Sequence, residues 1–78
     1  MLERETEAEE NFRLALEMHE RLQAPYWIAR TQIDYADFLL RRNQSGDVDT
    51  ARKMLVSAAD IATAHGYEGV RRKVASLQ

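Results

Sequence analysis

The stretch IARTQIDYADFLL, Ile28 to Leu40, is apolar on two helical faces at once, and its reading decides the fold. One stripe carries Ile28, Thr31, Tyr35, Phe38 and Leu39, and a second carries Ala29, Ile33, Ala36 and Leu40, each spaced by three or four residues. Such a helix needs a neighbour on each side. The rest of the chain is therefore expected to supply those neighbours, in an all-α fold of antiparallel helical hairpins.

Upstream, Phe12, Ala15, Leu16, His19 and Leu22, with Ala8 one turn earlier, mark one apolar face of a helix expected over residues 2–23. Pro25 disfavours helix in the residue before it yet suits a first turn, so it closes this helix and opens the next, expected over 26–42. Arg41 and Arg42 form a basic last turn, favourable at the carbonyl end of the dipole. Asn43 to Gly46 is a break, after which Asp47 or Asp49 is expected to cap a third helix over 48–65. Its stripe of Val48, Ala51, Leu55, Ala58 and Ala62, flanked by Met54, Ala59 and Ile61, is rich in small residues that let another helix come close. Gly66 is the expected left-handed C-cap, with Tyr67 as the apolar residue just past it. A short capping helix over 69–77 then turns Val70, Val74 and Leu77 inward and Arg71, Arg72 and Lys73 to water.

Composition agrees with one small globular domain or a piece of one. The 78 residues are 45% hydrophobic and 31% charged, with a formal net charge of −2. Zero Cys excludes a disulfide framework and thiolate zinc sites, and suits a cytoplasmic setting. No apolar run approaches the length of a membrane span, and no membrane association is expected. The opening is acidic, with Glu3, Glu5, Glu7, Glu9 and Glu10, a placement that a helix N-terminus favours.

An internal repeat is visible. Ala8 matches Ala51, Phe12 matches Leu55 and Ala15 matches Ala58, all at one offset of 43 residues, which also pairs Leu16 with Ala59 and Met18 with Ile61. The chain then reads as helix B, helix A, helix B and a cap. Small, large, small at spacings of four and three, as in Ala51-x3-Leu55-x2-Ala58 and Ala8-x3-Phe12-x2-Ala15, resembles the second-helix pattern of tetratricopeptide repeats. The A helix is less close, with Tyr35-Ala36 where that family has Leu-Gly, Leu39 where it has an aromatic and Gln32 at its tryptophan position. The period also exceeds the usual length of about 34, because Gln44 to Gly46 look inserted and helix B runs on to His65, so a HEAT-like repeat of about 40 to 47 residues stays open. Within the superfamily the texture is similar to C-terminal repeat regions of large bacterial LuxR-type, ATP-binding regulators and multidomain nucleotide cyclases.

Catalytic chemistry has little to draw on. His19 and His65 lie in different helices and in no metal-ligand spacing, and Ser45 and Ser57 lack an activating His-acid arrangement. Gly66-Tyr67-Glu68-Gly69 lacks the length and ending of a phosphate loop, so no catalytic, cofactor or metal site is expected. Arg41-Arg42 and Arg71-Arg72-Lys73 are basic clusters, but Asp47, Asp49 and Asp60 along the third helix and the negative net charge oppose a nucleic-acid partner. Tyr26 and Trp27 are read either as staples of the loop beside Pro25 or as an exposed aromatic anchor.

The expected function is a non-catalytic protein-interaction or scaffold module of a larger bacterial signalling or transcription regulator, working through protein partners or self-association as a homo-oligomer. Small-ligand sensing and nucleic-acid binding are the alternatives. The resemblance implies that first helices line the recognition wall, which nominates Arg30, Gln32, Asp34 and Asp37 as the partner surface. Structural weight is expected on Tyr35, Phe38, Ala51, Leu55 and Ala58.

Overall fold

The computed structural model describes residues 2–78, with side chains from Glu7 onward; the reading of Glu3 and Glu5 as dipole partners lies outside the described residues. Four helices follow one another, and there is no strand among the described residues: α1 Leu2–Arg21, α2 Pro25–Arg42, α3 Asp47–His65 and α4 Glu68–Leu77. The fold is all-α, as expected.

Helix ends differ from the periodicity reading by one or two residues, each for a local reason. α1 stops at Arg21 rather than 23 because Gln23 turns left-handed, with φ 52°, while the Ala24 amide reaches back to the His19 carbonyl at 3.0 Å. Pro25 itself is the first residue of α2, where its missing amide costs nothing. Asn43, with φ 51°, ends α2, and its amide bonds the Leu39 carbonyl at 2.9 Å. Gly66, with φ 75°, ends α3 as expected, and the Tyr67 amide closes the turn onto the Ala62 carbonyl at 2.9 Å.

One expectation is corrected at the start of α3. Neither Asp47 nor Asp49 caps it through a side chain; Gly46, with φ 83°, occupies the cap position. Asp47 is instead the first helical residue, and its carboxylate turns back to accept from Arg42 and from the Gln44 amide. An arginine fork offers it more than a helix amide would.

α2 is the middle layer. Among the described residues α1 touches only α2, whereas α3 packs on α2 and α4, and α4 also reaches α2. Ala29, Ala36, Ala51, Ala58 and Ala62 are fully buried, which lets the α2 and α3 backbones come close around Ile33, Leu39 and Leu55. Val70 and Val74 close the core from α4, with Leu77 half-buried beside them. On the other side Phe12 and Leu16 bring α1 onto the core, and the Phe12 ring stacks on Tyr35 at 5.1 Å and meets Phe38 at 5.6 Å. Of the residues expected to bear structural weight, Phe38 alone is only partly buried.

Candidate functional site

The four nominated surface residues do not share one face. Arg30 and Asp34 lie one turn apart on the open side of α2, where they line a cleft closed by Tyr26 and Ile33 of the same helix and by Gly69, Val70 and Lys73 of α4. Asp37 continues that ridge and accepts from Arg41 at 3.3 Å. Gln32 is the exception: it turns into the seam with α3, where its Nε2 donates to Ser57 Oγ at 3.0 Å and its Oε1 is buried without a partner. Removal of Gln32 from the set follows from azimuth, since residue 32 sits about 200° around the helix from residue 30.

The cleft is amphipathic. Ile33 and Val70, both buried in the core, form its floor, while Arg30, Asp34 and Lys73 stand exposed at its walls. Arg30 is held in place by Tyr26, to whose hydroxyl oxygen it donates at 3.0 Å with the guanidinium 5.8 Å from the ring centroid. Tyr26 is in turn fixed edge-on against Tyr67, centroids 5.3 Å apart, so the start of α2 is tied to the α3–α4 turn. Apolar floor, two cations, one carboxylate and a braced aromatic give the cleft contact points of both polarities.

The two readings of the aromatic pair divide between its members. Tyr26 is a staple, whereas Trp27 is 55% exposed and stacks only loosely on half-buried His19, at 6.3 Å. His65 stacks on Tyr67 at 5.3 Å. Both histidines thus flank one run of rings along this end of the molecule, apart from each other, and among the described residues no group of three or more His, Asp or Glu could hold a metal ion.

Away from the cleft, a polar cluster pins three helices together. Arg42 donates through Nε and Nη2 to both Asp47 oxygens at 2.9 Å and through Nη1 to Glu9 Oε1 at 3.1 Å, with its guanidinium 5.1 Å from the Phe38 centroid. Tyr35 donates its hydroxyl to the other Glu9 oxygen at 2.7 Å. The Tyr35 hydrogen bond and the Arg42 guanidinium hold the Glu9 carboxyl below its usual value, and the Arg42 fork does the same for Asp47. Burial, reinforced by the Glu9 carboxylate, pushes the Tyr35 phenol up to about 12. The hydrogen bonds from Arg42 to Asp47 raise the guanidinium further above its already high range. Each acid and base here is engaged by a partner, which gives the cluster the character of a clamp and removes Arg42 from the basic pair considered for nucleic acid. Sequence reading missed the clamp; Glu9, Tyr35 and Arg42 signal it only through helical registers on two separate elements.

Compared with known proteins, the chain matches no family model, no curated protein and no solved structure. Among the described residues no helix is long and apolar enough to cross a membrane.

Proposed function

We propose that this chain is a non-catalytic protein-interaction module, a tetratricopeptide-like repeat segment of a larger bacterial signalling or transcription regulator that works in the cytoplasm. The observation that carries this reading is the α2–α4 cleft, with Arg30 braced on Tyr26 across from Lys73 and Asp34 above an apolar floor. Layering supports it too: among the described residues α2 lies between α1 and α3 without close backbone approach between those two, in keeping with a stacked hairpin array. In this reading α2 and α4 are successive first helices, and the wall they share receives a peptide segment of the partner.

The test is peptide selection. Peptides chosen from a random displayed library against the isotope-labelled chain should shift the amide resonances of Arg30, Asp34, Gly69 and Lys73, and Asp34→Arg should abolish their binding without changing helicity. Selection that yields no binder, or shifts confined to other surfaces, would remove the proposal.

A further inference from the structure

A row of rings crosses one end of the molecule, from the last turn of α1, over the start of α2, to the turn between α3 and α4. Trp27 meets Tyr26 edge-on, with centroids 5.3 Å apart and planes at 82°, and Tyr26 meets Tyr67 in the same way at 5.3 Å and 90°. His19 and His65 close the row, 6.3 Å from Trp27 and 5.3 Å from Tyr67. Trp27 is 55% and Tyr26 36% exposed, and Tyr67 is half-buried, so the row is open to a partner. Its edges are donors. Among the described residues the Trp27 indole N–H and the Tyr67 hydroxyl have no hydrogen-bond partner, and the Tyr26 hydroxyl only accepts, from Arg30.

The ways of recognising a peptide divide on these features. With no strand among the described residues there is no sheet edge for an extended chain to join, and an amphipathic helix needs an aliphatic groove rather than ring edges tipped with donors. A polyproline II segment fits. Its pyrrolidine rings pack in the angle between aromatic planes, its carbonyls point outward unpaired, and its prolines bring no N–H that would need an acceptor. Two steps of 5.3 Å along the row are on the scale of one polyproline II turn, about 9 Å.

Charge does not favour another ligand. Within four positions of any ring in the row the chain carries Glu17, Glu20 and Glu68 against Arg21, Arg30 and Arg71, and two of these pairs are closed, Arg21 with Glu17 and Arg71 with Glu68. The signs balance, so an uncharged run of prolines meets no opposing field. Tyr26 also walls the α2–α4 cleft, where Asp34 and Lys73 balance in turn, so a segment lying in the cleft passes directly onto the row.

We infer that the row docks a proline-rich segment in the polyproline II conformation, its prolines seated against Trp27, Tyr26 and Tyr67 and its carbonyls accepting from their N–H and O–H groups. This rests on the reading of the chain as a peptide-binding module and names the class of peptide. Tyr26 serves both partners, since its oxygen accepts from Arg30 while its proton stays available to the ligand. Contact with three large rings sets a dissociation constant on the order of 100 µM.

Trp27 is the single tryptophan of the chain, so its fluorescence reads the row directly. The full chain is titrated with a peptide of about ten prolines, roughly three turns of helix, acetylated and amidated to remove its terminal charges. Emission should move to the blue and saturate, and the amide shifts of the isotope-labelled chain should centre on Trp27 and Tyr67. A Gly-Ser peptide of the same length should do neither. Trp27→Ala, followed by amide shifts, should weaken binding about tenfold, and Tyr67→Phe, which keeps the ring and removes the donor, about threefold, both with unchanged circular dichroism. Fluorescence and amides unmoved by oligoproline up to about 5 mM overturn the inference. So does a Gly-Ser peptide that moves the same amides as strongly, or a Trp27→Ala chain that binds undiminished. A cello-oligosaccharide that moves Trp27 where oligoproline does not also overturns it and gives the row to a sugar. Library-selected peptides keep the two readings apart: if they still bind in the cleft when oligoproline fails, only the proline-rich ligand is removed, and if they fail as well the interaction module goes with it.

Discussion

Arg42 shows how one side chain sets the relation of three helices. It is the last residue of α2, yet it grips Asp47 at the start of α3 and Glu9 of α1, and its side chain is only 13% exposed. Burying a charge this far is tolerable only because Nε, Nη1 and Nη2 all find acceptors and the guanidinium has the Phe38 ring beside it. Tyr35 completes the clamp and offers the cleanest probe. Because its folded pKa, about 12, lies above the unfolded value near 10, the hydroxyl contributes stability that is complete below pH 10 and is lost as pH rises through 12. Phenolate absorbance should therefore show one of the three tyrosines ionising near pH 12, and Tyr35→Phe should delete that step and lower stability by about 1 kcal/mol in urea unfolding. A titration curve unchanged by the substitution would mean that the hydroxyl does not bond Glu9.

Between elements, separation is governed by alanine. Ala58 is fully buried, in a stripe with Ala51 and Ala62 that shares the core with Ala29 and Ala36 of α2. Ala58→Leu should cost about 1 to 3 kcal/mol through overpacking, read as a lower urea midpoint with an unchanged slope; an unaltered midpoint would show that the two backbones are not in close approach there. This layer was legible in the sequence, since the three-and-four spacing of alanines on α3 and the doubled apolar face of α2 both report burial directly. What stayed hidden has a common cause. Periodicity says that a position is buried but not which azimuth faces which neighbour, so Gln32 was grouped with Arg30 and Asp34, and the Lys73 side of the cleft went unseen. Gln23 was equally opaque: a glutamine with φ 52° is held there by the turn it closes, and nothing in its chemistry announces the left-handed conformation that ends α1 early.

At the scale of the whole molecule the layers are unequally held. α2 and α3 share the alanine seam and α4 covers its edge, whereas among the described residues α1 rests on α2 alone, through Phe12, Leu16 and the Glu9 clamp. Acid should act on this difference. Glu9 and Asp47 both have folded pKa values depressed below their unfolded ones, so each contributes stability that is complete above the ordinary carboxylate range and is lost as pH falls through the folded value. Protonating Glu9 removes the negative charge that strengthens its bond from Arg42 across the α1–α2 boundary. Protonating Asp47 frees the guanidinium without separating α2 from α3, which the apolar seam still holds. Hydrogen exchange read residue by residue should therefore find, below about pH 4, that α1 amides lose protection ahead of those in α2 and α3. Glu9→Gln should bring that early opening of α1 to neutral pH and leave α3 protected. Protection lost at one pH by all helices together would mean that the clamp is not what holds α1, and that the four helices open as a single unit.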